Sequence, residues 1–124
     1  MSEGRAARGT AARVSGRRGE VLATLLLMAK GYRILGFRLK TPQGEIDILA
    51  WRRGVLAVVE VKRRTTLLGA LEAVGHDQRQ RLRRAGANLA ARRPQLSGAA
   101  VRLDLVALAP GRLPVHIPDA WKGG

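Results

Sequence analysis

Residues 44–64, GEIDILAWRRGVLAVVEVKRR, read as two β-strands joined by a tight turn. In the first arm Ile46, Ile48 and Ala50 point one way, and Glu45, Asp47, Leu49 and Trp51 the other. In the second arm Ala57, Val59 and Val61 share one face, while Leu56, Val58, Glu60 and Lys62 share the opposite one. Arg52-Arg53-Gly54 between them is a turn signal. Opposed residues of an antiparallel pair point to the same side and a slip of one residue reverses every side chain, so the apolar pattern selects the register. A loop of two or four residues centred between Arg53 and Gly54 sets Ile46 opposite Val61, Ile48 opposite Val59 and Ala50 opposite Ala57, a wholly apolar face. On the other face Trp51 meets Leu56 and Leu49 meets Val58, after which Asp47 faces Glu60 and Glu45 faces Lys62. A three-residue loop without a bulge mixes charged and apolar positions on both faces.

Carboxylates opposed across a sheet, with Cβ atoms about 5 Å apart, repel one another unless a cation lies between them. A divalent metal is the natural candidate, because Mg²⁺ is usually held by one or two carboxylates with positions left for water and phosphate oxygens. Lys62, two residues past Glu60 on the same face, adds a point charge that can polarise a water or steady negative charge on phosphate.

The composition agrees with a polyanionic partner. Lys and Arg number 23 against 9 acids, a formal net charge of +14, which points to nucleic acid, DNA ahead of RNA. A GC-rich coding sequence also yields an Arg-rich chain, and a protein partner is then the third reading. Four of the acids, Glu20, Glu45, Asp47 and Glu60, fall in the proposed cluster. The absence of cysteine excludes disulfides and thiolate metal sites, and two distant histidines argue against zinc. No apolar run reaches membrane-spanning length and no apolar signal core opens the chain, so a cytoplasmic protein is expected.

At 124 residues the chain has room for one domain, assigned to 16–121, with a disordered basic arm at 1–15 and a tail at 122–124. Val21, Leu22, Leu25, Leu26, Met28 and Ala29 predict a helix from Arg17 to Lys30, ended by Gly31. Glu20 lies in its first turn, where an acid also simply suits the helix dipole. A strand over Tyr32–Leu39 and a turn at Thr41-Pro42-Gln43-Gly44 lead into the hairpin. Tyr32, Phe37 and Trp51 read as core or edge packing rather than base-stacking platforms. Residues 65–75 read as a mobile loop beside the site. A helix capped by Asp77 then runs to Arg92, stopped by Pro94, burying Leu82, Ala85 and Leu89. Its arginines are either solvated surface or phosphate contacts, and Gln78 could face the site. The candidate nucleic-acid contacts are Arg52, Arg53, Arg63, Arg64, Gln78, Arg79 and Arg83. Val101–Leu108 is a strand parallel to 55–62, Leu113–Ile117 an additional edge strand, Asp104 a structural ion-pair residue and His116 a surface residue.

Asp47 followed by Glu60-Val61-Lys62 resembles the D…(D/E)XK signature of the PD-(D/E)XK, restriction-endonuclease-like nucleases. More closely, Gly19-Glu20, Gly44-Glu45-Ile46-Asp47, Glu60-Val61-Lys62 and Arg102-Leu103-Asp104 resemble the YraN-like family of uncharacterised bacterial proteins, over residues 16–121. Ile46 stands where the superfamily usually has proline. The resemblance implies an α/β fold, a restriction-endonuclease-like mixed sheet flanked by helices in the order α-β-β-β-α-β, and a homodimer as a common state. It implies a catalytic set of Glu20, Asp47, Glu60 and Lys62, with Mg²⁺ or Mn²⁺ held by Asp47, Glu60 and Glu20. The expected activity is metal-dependent hydrolysis of phosphodiester bonds in DNA, including branched or repair intermediates. The alternative is a non-catalytic nucleic-acid-binding or DNA-processing accessory module that keeps the nuclease fold.

Overall fold

The computed structural model describes residues 18–122, so the arm expected at 1–15 and the last two residues of the tail lie outside the described residues. Helix α1 covers residues 18–29. It is followed by β1 (Arg33–Thr41), β2 (Gly44–Arg52), β3 (Val55–Arg63), α2 (Leu67–Glu72), α3 (His76–Arg92), a 3-10 turn at Pro94–Leu96, β4 (Ala100–Leu108) and β5 (Val115–Ile117). The strands form an open mixed sheet in the order β1-β2-β3-β4-β5, in which only β3 and β4 run parallel. The result is an α/β architecture with helices on both sheet faces. Among the described residues no helix is long and apolar enough to cross a membrane.

The β2–β3 hairpin has the register its hydrophobic pattern selects, with Ile48 opposite Val59, Leu49 opposite Val58, Ala50 opposite Ala57 and Trp51 opposite Leu56. Its loop is the two residues Arg53 and Gly54, both at positive φ (48° and 80°), the turn whose twist matches that of the flanking strands. The pairing stops at Ile48, however. The expected oppositions of Ile46 with Val61, Asp47 with Glu60 and Glu45 with Lys62 do not form as ladder pairs. The Val61 N–H donates instead to Asp47 Oδ2 at 2.8 Å, so a carboxylate takes the donor that the next ladder bond would use. Alternation fails at the same point. Ile46 packs with Leu49, Leu56 and Val58 rather than with Ile48 and Ala50.

Helix α1 covers the Ile48–Ala50–Ala57–Val59 face through Ala23 and Leu27. Full burial of a side chain such as Leu27 contributes roughly 1.5–3 kcal/mol. The helix ends in a Schellman arrangement, with Tyr32 N–H donating to Leu27 O and Gly31 N–H to Met28 O. Gly31 has φ 90°, which glycine adopts without a Cβ penalty. At its other end Gly19 presses on β4, where a Cβ would lie 2.7 Å from Leu108 Cδ1.

The opposite face carries α2 and α3. The segment predicted as a mobile loop at 65–75 holds α2, N-capped by Thr66, whose Oγ1 accepts from Gly69 N–H at 3.0 Å. Ala70 of α2 is buried against Leu105 and Ala107. Helix α3 starts one residue before Asp77, so Gly75 is its N-cap and Asp77 sits in the first turn without capping. Leu82 and Ala85 bury the predicted stripe, and Gly86 permits close approach to Val58 and Val101.

Asp104, fully buried on β4, braces the other end of the molecule. It accepts from Arg102 through both oxygens (2.7 and 2.8 Å), from His116 Nε2 (2.8 Å) and from the Asp119 N–H (3.0 Å). Arg102 also bonds the Tyr32 hydroxyl, and His116 Nδ1 meets Lys30 Nζ, so the network ties α1, β4 and β5 together. The structural role expected of Asp104 holds. His116, expected at the surface, has a side chain 1% exposed, because β5 folds it over Asp104.

Candidate functional site

The break in the β2–β3 ladder is where the candidate chemistry lies. Glu60 is the buried carboxylic side chain of β3 (2% exposed), and among the described residues its Oε1 has no hydrogen-bond partner. Burial first, and then the neighbouring charge of Asp47, push its carboxyl from 4.5 up to about 8. Lys62 and the Asp47 main-chain N–H oppose this rise, while a side-chain hydrogen bond with Asp47 adds to it. Burial also raises Asp47, against the pull of the Val61 N–H and Lys62. The Glu60 carboxyl, held up by burial and by the charge of Asp47, therefore keeps its proton near neutral pH.

Asp47, Glu60 and Lys62 are thus brought together. Glu20 is not brought into direct contact with them: it accepts from Arg38 Nε at 2.6 Å, at a half-exposed ion pair, and reaches Asp47 only through its charge. Among the described residues no three His, Cys, Asp or Glu side chains converge as a metal-ligating group. The expected Glu45–Lys62 pairing is also absent there, since the register that would place them opposite each other ends at Ile48. Glu45 is exposed and contributes its charge to Asp47.

Arg38 is the residue that sequence reasoning missed. It stands at φ 48° in mid-strand, and Glu20 first, then Glu45 and Asp47, hold its guanidinium above the ordinary range. The signal was available. Counting the β1–β2 hairpin back from Pro42-Gln43, through Lys40–Glu45 and Leu39–Ile46, sets Arg38 level with Asp47.

The candidate nucleic-acid contacts divide. Arg63 and Arg64 are exposed just past Lys62. Arg52 lies over the Tyr32 ring at 5.5 Å and Arg53 forms the hairpin tip, at the far end of β2 from Asp47. Arg79 donates to Val74 O and lies over the Trp121 ring, while Arg83 donates to Trp121 O, so both fasten the C-terminal segment onto α3. Gln78 is half-buried in the first turn of α3. Tyr32 and Trp51 pack as expected, but Phe37 is 49% exposed.

A mixed sheet with a buried Glu60 carboxyl beside a half-buried Asp47 and a lysine defines an α/β protein with a two-carboxylate candidate site. Comparison with known sequences gives the family. The profile described as "Uncharacterised protein family UPF0102" matches residues 19–108, and the chain belongs to that family. A UPF0102 protein of Caulobacter sp. (strain K31) is 73% identical over 115 residues, covering 93% of this chain and 83% of the relative. One from Caulobacter vibrioides (strain NA1000 / CB15N) is 67% identical over 96% of this chain and 95% of its own length. A third, from Paramagnetospirillum magneticum, is 49% identical over 90% of each.

Proposed function

We propose that this protein is a metal-dependent, restriction-endonuclease-like phosphodiesterase acting on DNA, of the kind that its resemblance to the YraN-like and PD-(D/E)XK proteins implies. One observation carries the reading: Glu60 is buried beside Asp47 with an oxygen that has no hydrogen-bond partner among the described residues. Such an arrangement is costly as a purely structural feature and is relieved by a cation. The donor set suits Mg²⁺ or Mn²⁺, being all oxygen, with two carboxylates. Bound there, the ion would stabilise charge on the phosphate and lower the pKa of a water.

The chain's own groups have separable tasks. Asp47 and Glu60 are the ligands, and the Val61 N–H fixes the orientation of Asp47. Lys62 favours the deprotonated pair and steadies negative charge at phosphorus. An incoming phosphate competes with Glu20 for the Arg38 guanidinium, which releases Glu20 to orient water.

The second reading, a non-catalytic nucleic-acid-binding module, is favoured by the Glu20–Arg38 pair and by the lack of a third converging ligand among the described residues. It requires DNA binding that is steeply salt-dependent and indifferent to metal. Incubating the purified protein with branched and linear DNA and Mn²⁺, beside Asp47→Ala and Lys62→Ala, separates the two. Cleavage by the wild type alone supports the enzyme; equal cleavage by all three, or none by any, rejects it.

A further inference from the structure

Arg33, Leu35, Trp51, Arg93, Gln95 and Leu96 line a concavity of about 200 Å³. It is several times the roughly 30 Å³ that one water occupies. Trp51 is four residues along β2 from Asp47, roughly 13 Å at about 3.3 Å per residue. The indole packs against the core under α3, as expected, but it is only partly buried and also borders the concavity, a contact that the reading of Trp51 as packing alone leaves out. Neither Arg33 nor Arg93 has an acidic partner among the described residues. An anchored indole with unneutralised guanidiniums beside it matches a planar base joined to phosphate, since aromatic side chains stack on bases of any identity and arginine forks fit phosphate oxygens.

The concavity reaches the sheet edge at Arg33 and Leu35. β1 is an edge strand, and Arg33, Arg38 and Lys40 on it are all exposed. Arg33 borders the concavity, while Arg38 pairs with Glu20 within electrostatic reach of Asp47.

We infer that the Trp51 concavity seats one unpaired nucleotide of a DNA strand, with Arg33 and Arg93 against its phosphates. This deepens the nucleic-acid reading above and rests on it, but it does not need catalysis.

The test uses a labelled single-stranded oligonucleotide in EDTA. Affinity is followed by anisotropy and contact by quenching of tryptophan emission, after thermal melting has confirmed that each variant is folded. Arg33→Ala/Arg93→Ala should bind roughly ten-fold or more weakly than Arg81→Ala/Arg84→Ala, which removes the same charge from exposed positions of α3. Oligonucleotide quenching should largely vanish in Trp51→Phe, where Trp121 is the remaining tryptophan. A free deoxynucleoside monophosphate should bind far more weakly than the oligonucleotide. Equal losses in the two double variants, full quenching in Trp51→Phe, or a monophosphate that binds as tightly as the strand would each overturn the proposal. Quenching without Mn²⁺-dependent cleavage removes the catalytic reading alone; cleavage without quenching removes this one alone.

Discussion

Replacing Glu60 with glutamine should change how stability depends on pH more than it changes the structure. The side chain keeps its shape and loses only its ionisation. In the wild type the unfolded chain ionises Glu60 near 4.5, whereas the folded chain keeps the proton until about pH 8. Below the first value both states are protonated and nothing is lost. Between the two the folded state binds more protons than the unfolded state, so stability falls as pH rises, and above pH 8 the full penalty applies. At about 1.4 kcal/mol for each pH unit of that interval, the ceiling is about 5 kcal/mol. Coupling to Asp47 makes a few kcal/mol the working expectation. Urea unfolding at about pH 5, 6.5 and 8.5 in EDTA, followed by circular dichroism, measures this directly. Glu60→Gln should gain on the wild type progressively across the series. Parallel curves for the two proteins would refute a buried Glu60 that keeps its proton.

Gly86→Ala should destabilise by about 1–2 kcal/mol although it improves helix propensity, because its Cβ would lie 2.7 Å from Val58 Cγ2 and 2.8 Å from Val101 Cγ1; a raised melting temperature would contradict the packing. Asp104→Asn should cost about 3–5 kcal/mol by leaving the Arg102 guanidinium without its anion. Burial works against ionisation of Asp104, yet hydrogen bonds from Arg102, His116 and the Asp119 N–H hold it below the usual carboxylate range. The wild type therefore keeps this contribution above the unfolded value and loses it as pH falls through the folded one, so the asparagine variant should show a shallower acid limb in denaturation.

The hairpin register could be read from Ile48, Ala50, Ala57 and Val59 because alternation and a two-residue turn impose the same pairing. Alternation failed at Asp47 because a side chain replaced a backbone acceptor, which period-two reasoning does not represent. Ile46 crossed to the α3 face for the same reason. The helix α2 escaped notice because six residues, LLGALE, are too few to establish a 3.6-residue period, and its cap is a Thr66–Gly69 contact without an acid or amide three residues on. His116 was misplaced because its burial depends on Asp104, twelve residues away across two strands. At the site, Asp47, Glu60 and Lys62 were legible as a D…EXK pattern. Arg38 was legible only as the position level with Asp47 in the β1–β2 hairpin; its left-handed backbone and its hold on Glu20 have no local motif.

The central claim is that Asp47 and Glu60 form a cation site, with Glu60 holding a proton near neutral pH when no metal is bound. Calorimetric titration of Mn²⁺ into wild type, Asp47→Asn and Glu60→Gln, repeated in buffers of different ionisation enthalpy, tests it most directly. The account predicts saturable binding by the wild type, release of up to about one proton per ion near neutral pH, and loss of that binding in both variants. Binding undiminished in either variant, or no binding by the wild type, would contradict it.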